Sequence, residues 1–207
     1  MELDFRKLDA SKLFDFSREQ EELIFEIYDR LFGMYDLSVV AVEDSLFQVF
    51  HSGKENSLFN PKICYFITDK NKENPFYLFI VSKIGIMAKG ARTTALYDSL
   101  QIWGMKRMEE DYGFISVSKK RWTDRIAGMF NRFKVNFRDG AFSGFYILGS
   151  NKSGTRTFLN ERRRQIIKSF PDKDFRLEIK NNILKFGIPE TLTVDRALYT
   201  AEFLKQI

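Results

Sequence analysis

Apolar positions first recur at helical spacing at Ile24, Ile27, Tyr28 and Leu31, which places them on one face of an α-helix. Ser17 with Gln20 three residues on supplies a capping box at its start. Glu19, Glu21 and Glu22 lie in the first turns, where carboxylates complement the helix dipole, and Gly33 is the expected stop. The rhythm then shortens. LSVVAVEDSLFQVF reads as strand, turn, strand, and HSGKENSLFNP as loop. KICYFIT and PFYLFIVSKIGI flank the polar DKNKEN and read as an aromatic β-hairpin.

Leu96, Leu100, Trp103 and Met108 return to a spacing of three to five, which predicts a second long helix from about Thr94 to Tyr112, stopped by Gly113. GFISVS reads as a short strand. KKRWTDRIAGMFNRF carries Trp122, Ile126, Met129, Phe130 and Phe133 at helical spacing and reads as an amphipathic helix despite Gly128. RDG at 138–140 is a turn and AFSGFYILG a strand. FRLEIK and ILKFGI pair around Asn181-Asn182, since asparagine tolerates the left-handed turn conformation. Thr193 or Asp195 opens a final helix with Ala197, Leu198, Ala201 and Leu204 inward. The sum is an α+β fold with a mainly antiparallel sheet and about five helices. It reads as one domain over 1–207, with a coarse echo of an α-β-β-α unit in 17–112 and 119–206.

Composition adds limits. Apolar residues make up 44% and charged residues 29% of the 207, a globular balance, and 22 phenylalanines point to an aromatic core. With one cysteine, Cys64, and one histidine, His51, the chain can form neither an internal disulfide nor a Cys/His zinc site of its own. The start, MELDFRKLDASK, lacks the apolar region of a signal peptide, and runs such as FYLFIV are too short to span a bilayer. A cytoplasmic protein without a membrane span is the expectation. Residues 1–50 hold 5 Lys/Arg against 12 Asp/Glu, and residues 51–207 hold 28 against 16. An acidic first quarter thus precedes a basic remainder.

The strongest motif-like stretch is ILGSNKSGTRTFLNERRRQIIK, which runs a strand through a glycine-bounded loop into a helix. Gly149 and Gly154 have the separation of a phosphate-binding P-loop, but Thr155 and Arg156 stand where lysine and a magnesium-holding hydroxyl belong. Only the turn survives. At about 100° per residue, Leu159, Ile166 and Phe170 share a stripe. Arg163 falls beside that stripe, Arg162 just off its other edge, and Arg164 faces solvent. Arg163 is expected to lay its stem on apolar surface or to meet a carboxylate. Lys152, Arg156, Arg162 and Arg164 remain as candidates to meet one anion.

Other groupings are weaker. PDKDFRLEIK has the residue types of a PD-(D/E)xK nuclease, yet along a strand Asp172 and Glu178 stand about 20 Å apart and cannot share a metal. Cys64 sits in an aromatic strand, where a buried thiol is expected rather than a nucleophile paired with His51. Arg121, Arg125 and Arg132 give the 119–134 segment a basic side, but its aromatics lie on the core side, away from any base to stack on. Glu109-Glu110-Asp111 is a further charged surface, at the end of the predicted Thr94–Tyr112 helix. The chain offers no recognisable acid/base pair, catalytic residue, metal site or cofactor motif. It therefore reads as a non-catalytic protein that binds another protein. The alternatives are nucleic-acid binding through 119–134 and 152–168, and an enzyme holding a phosphate-bearing ligand at 149–156.

Overall fold

A computed structural model describes residues 16–50, 60–89, 93–119, 133–135, 137 and 142–207, with backbone alone over 83–89 and 93–98. In chain order the elements are α1 (Arg18–Met34), β1 (Asp36–Val40), α2 (Phe47–Phe50), β2 (Asn60–Thr68), β3 (Phe76–Lys89), β4 (Thr93–Arg107), β5 (Ile115–Lys119), β6 (Phe145–Gly149), α3 (Lys152–Phe158), α4 (Glu161–Ser169), β7 (Arg176–Lys180), β8 (Ile183–Ile188) and α5 (Val194–Gln206). The strands form one sheet in the order β1-β2-β3-β4-β8-β7-β5-β6, antiparallel at every pairing. The fold is α+β.

One sheet face carries the main core. Leu78, Ile80, Ile102, Leu177, Leu184 and Phe186 point into it, and α1, α4 and α5 cover it with Ile27, Ile167, Leu204 and their neighbours. The phenylalanines earn their number here: Phe186 stacks on Phe203 at 3.7 Å between ring centres, and Phe170 packs edge-on against both. The opposite face holds a smaller core, in which Leu46 and Phe50 close over Cys64, Phe79, Trp103 and Met105. Lys185 lies under this cover with its Nζ 2.9 Å from Glu178 and over the rings of Phe50 and Trp103.

Two predicted elements are corrected. The helix expected from Thr94 to Tyr112 is instead β4 with the loop after it, and the series predicted for 17–112 closes on a strand. The reason is burial on both faces. Leu100 and Ile102 enter one core while Trp103 and Met105 enter the other, so apolar side chains fall on both faces of LQIWGM and the apolar/polar alternation of a half-buried strand is lost. The second strand expected in LSVVAVEDSLFQVF is a 3₁₀ turn, Val42–Asp44, followed by α2. Ser45 donates its hydroxyl to the Val42 carbonyl and accepts from Phe47 N, which seeds that turn, and Leu46 and Phe50 reach the same core one helical turn apart.

The capping box at Ser17 and Gln20 is present, and Thr193 caps α5. Asn181 takes φ 56° in the β7–β8 turn, as its side chain allows. The predicted helix over 119–134 lies mostly outside the described residues, together with the RDG turn. Its described end continues from Phe133 to Val135 along β6, where Val135 N donates to the Ile147 carbonyl.

Candidate functional site

The loop after β6 is filled by its own atoms. Asn151 caps α3 by accepting from Ser153 N, and the buried Thr155 hydroxyl donates to the Asn151 carbonyl at 2.7 Å. A Cβ at Gly149 would collide with the Thr155 side chain, and one at Gly154 would sit 3.1 Å from the Tyr112 carbonyl. Both glycines therefore serve close packing of strand, helix and loop. Lys152 and Arg156 are exposed on α3 and line neither depression described below.

The predicted single helix is also two. Asn160 accepts from Arg163 N and starts α4 anew, so Leu159 ends α3 rather than sharing a stripe with Ile166. This separates the arginines in three ways. Arg163 is half-buried. Its guanidinium donates to the Ile207 main-chain oxygen (3.2 Å), the Tyr112 hydroxyl (3.1 Å) and the Phe158 carbonyl, and lies over the rings of Tyr112 and Phe158. Arg164 does not face solvent as its wheel position suggests. It is half-buried, donates to the Leu159 carbonyl and covers the Phe137 ring. Arg162 is exposed and makes one long bond, 3.4 Å, to the Gln206 carbonyl. Arg121, Arg125 and Arg132 lie outside the described residues, as does His51.

Arg162 does meet other cations, though not the expected ones. A depression of about 490 Å³ opens where α4 begins and α5 ends. Lys106, Arg107, Arg162, Arg163 and Lys205 line it, with Glu109 as the one carboxylate side chain. Lys106 donates to the Leu204 carbonyl at 2.9 Å. Burial, and then the charges of Arg163 and Arg162, push its pKa down, while Glu109 pulls the other way. Sequence spacing could not announce this cluster, because 56 positions separate Lys106 from Arg162 and β4 was not recognised as the strand that delivers it. A second groove of about 260 Å³ lies over β5, β6 and β7, with charges of both signs from Arg176, Glu178, Lys173 and Asp174.

The nuclease-like carboxylates and the thiol are spoken for. Asp172 pairs with Arg196 Nε at 3.0 Å and Glu178 with Lys185, so the nuclease-like residues are separately neutralised. Cys64 is buried, and loss of solvation pushes its thiol up to about 12, against a smaller opposing effect of a Ser45 hydrogen bond. Among the described residues no cluster of His, Cys, Asp and Glu could hold a metal ion, and no helix is long and apolar enough to cross a membrane.

The outer side of α1 is the other conspicuous surface. Phe25 and Phe32 are 41% and 55% exposed. Seven residues apart, they share one side of the helix. Phe32 stacks on Tyr28 with ring centres 5.8 Å apart, and Lys70 reaches over it to the Phe32 and Tyr35 carbonyls. The helix carries five carboxylates against two arginines.

No protein-family model matches this chain, and no curated protein matches it. Among solved structures it is similar to the crystal structure of the mycobacterial trehalose monomycolate transport factor A, TtfA, with 8% identity and a TM-score of 0.36 over 61% of this chain and 70% of that one. A likeness that slight carries no argument about fold or function.

Proposed function

We propose that this is a non-catalytic interaction protein that docks a basic, amphipathic segment of another protein on the outer side of α1. The observation that carries the reading is the aromatic ridge of Phe25, Tyr28 and Phe32 on an acidic helix. Large rings held by a rigid element are the usual energetic anchors of protein interfaces. Here α1 is fixed from behind by the buried Ile24, Ile27 and Leu31, so little ordering entropy is lost on docking. Glu22, Glu26 and Asp29 beside the ridge select a basic partner and would repel an acidic one. Nucleic-acid binding draws less support: the residues lining the basic depression include no aromatic ring on which a base could stack. The enzyme reading at 149–156 loses its motive, since the loop's own side chains occupy the turn.

The test places a photo-crosslinking residue at position 25 or 32 in the source cell, with position 153 as control. Positions 25 and 32 are expected to capture a common protein that position 153 does not. With that partner purified, Phe32→Glu is expected to weaken binding at least tenfold and Arg156→Glu to leave it unchanged. Equal labelling at all three positions, or equal affinity of the two variants, sinks the proposal.

A further inference from the structure

We infer that the depression between the start of α4 and the end of α5 is a binding site for a compact phosphate-bearing molecule. Three separate elements converge on it. The end of β4 brings Lys106, the first turn of α4 brings Arg162 and Arg163, and the last turn of α5 brings Lys205, while Arg107, next on β4, alternates to the other sheet face, where its charge acts on Tyr77. Lys106, Arg162, Arg163 and Lys205 thus line it with one carboxylate side chain, Glu109. The main-chain oxygens of Leu204, Gln206 and Ile207 accept from Lys106, Arg162 and Arg163 and offset part of this charge. Burial first, and then the charges of Arg163 and Arg162, weaken the hold of Lys106 on its proton. Crowding like charges works against folding, so a cluster kept at that cost is a candidate for ligand binding.

The chemistry of the lining selects the ligand class. A single carboxylate would offset one charge, whereas a phosphate ester or pyrophosphate offsets two or more. Arginine forks match phosphate oxygens bidentately, and the lysines add point charges. Asn160 and Arg162 also put the first turn of α4 at the rim, where main-chain N–H groups favour an anion. A volume of about 490 Å³ falls within the range of small-molecule sites, roughly 300–1,000 Å³. With no aromatic ring in the lining there is nothing for a nucleobase to stack on, so the phosphate's carrier is a sugar, a polyol or a second phosphate. This inference stands apart from the α1 surface, and either could fail without the other.

Calorimetry at constant ionic strength tests it with inorganic pyrophosphate and inositol hexakisphosphate, and with citrate as a carboxylate of charge comparable to that of pyrophosphate. Both phosphates are expected to bind at micromolar to sub-millimolar concentration, and citrate at least tenfold more weakly. Arg162→Gln and Lys205→Gln, both at exposed positions, are each expected to lower phosphate affinity about tenfold, and Arg156→Gln to leave it unchanged. Preference for pyrophosphate or for the inositol compound distinguishes an inorganic phosphate from a polyol carrier. Citrate binding as tightly as the phosphates overturns the assignment. So does binding that Arg162→Gln and Lys205→Gln do not weaken, or no heat with either phosphate at millimolar concentration.

Discussion

Arg162, Arg163 and Arg164 are adjacent in the chain and do different work. Arg163 ties α4 to Tyr112, Phe158 and Ile207 through hydrogen bonds and two ring faces, whereas Arg162 is exposed with one long bond. Arg163→Ala is expected to cost roughly 2–3 kcal/mol of folding stability, because the rings lose their cation and the Tyr112 hydroxyl and two main-chain oxygens lose their donor. Arg162→Ala is expected to change it by less than about 0.5 kcal/mol, since an exposed position is involved and removal relieves repulsion on Lys106. Urea unfolding of the two variants checks this, and equal losses would show that neither assignment holds. The sequence placed Arg163 correctly at an apolar boundary. It misplaced Arg164, because the wheel assumed one continuous helix and Asn160 breaks it.

At the scale of elements, the β6–α3 junction separates two meanings of one glycine pattern. In a phosphate loop a glycine lets the main chain approach a ligand. Here Gly149 makes room for Thr155 instead. Gly149→Ala is therefore expected to destabilise the free protein by about 1–3 kcal/mol, through overpacking alone. Thr155→Ala introduced into that background is expected to recover part of the loss. Thermal melts of the single and double variants decide it, and a double variant less stable than the sum of its parts would contradict the collision. Capped elements such as α1, α5 and the β7–β8 hairpin were legible because their signals are local: a serine three residues from a glutamine, or an asparagine able to take positive φ. β4 was not, because its pattern depends on neighbours on both faces, which no local window contains.

For the whole molecule, two titratable groups shifted chiefly by burial make stability depend on pH. Lys106 releases its proton at lower pH in the folded chain than in the unfolded one. Between its folded pKa and the ordinary 10.5, the unfolded chain holds more protons, so this group makes stability rise with pH through that window. Cys64 acts oppositely. Its folded pKa of about 12 lies above the ordinary 9.0, so stability falls as pH climbs past 9. Lys106→Met removes the first effect and leaves the second. The stability of Lys106→Met minus that of the wild type is expected to shrink as pH rises from 7 toward 10.5, as read by urea unfolding at each pH. A difference that does not change would mean that folding does not lower the pKa of Lys106.

What the sequence determined by itself was whatever short range sets: helix caps, hairpin turns, the apolar stripes of α1 and α5, the α+β class, and the lack of a complete P-loop. What only the tertiary structure decided was which cations share a space. Lys106, Arg162, Arg163 and Lys205 come together because β4 lies beside β8 and α5 packs across both. Coulomb interactions act over ångströms in space, and chain separation does not encode them.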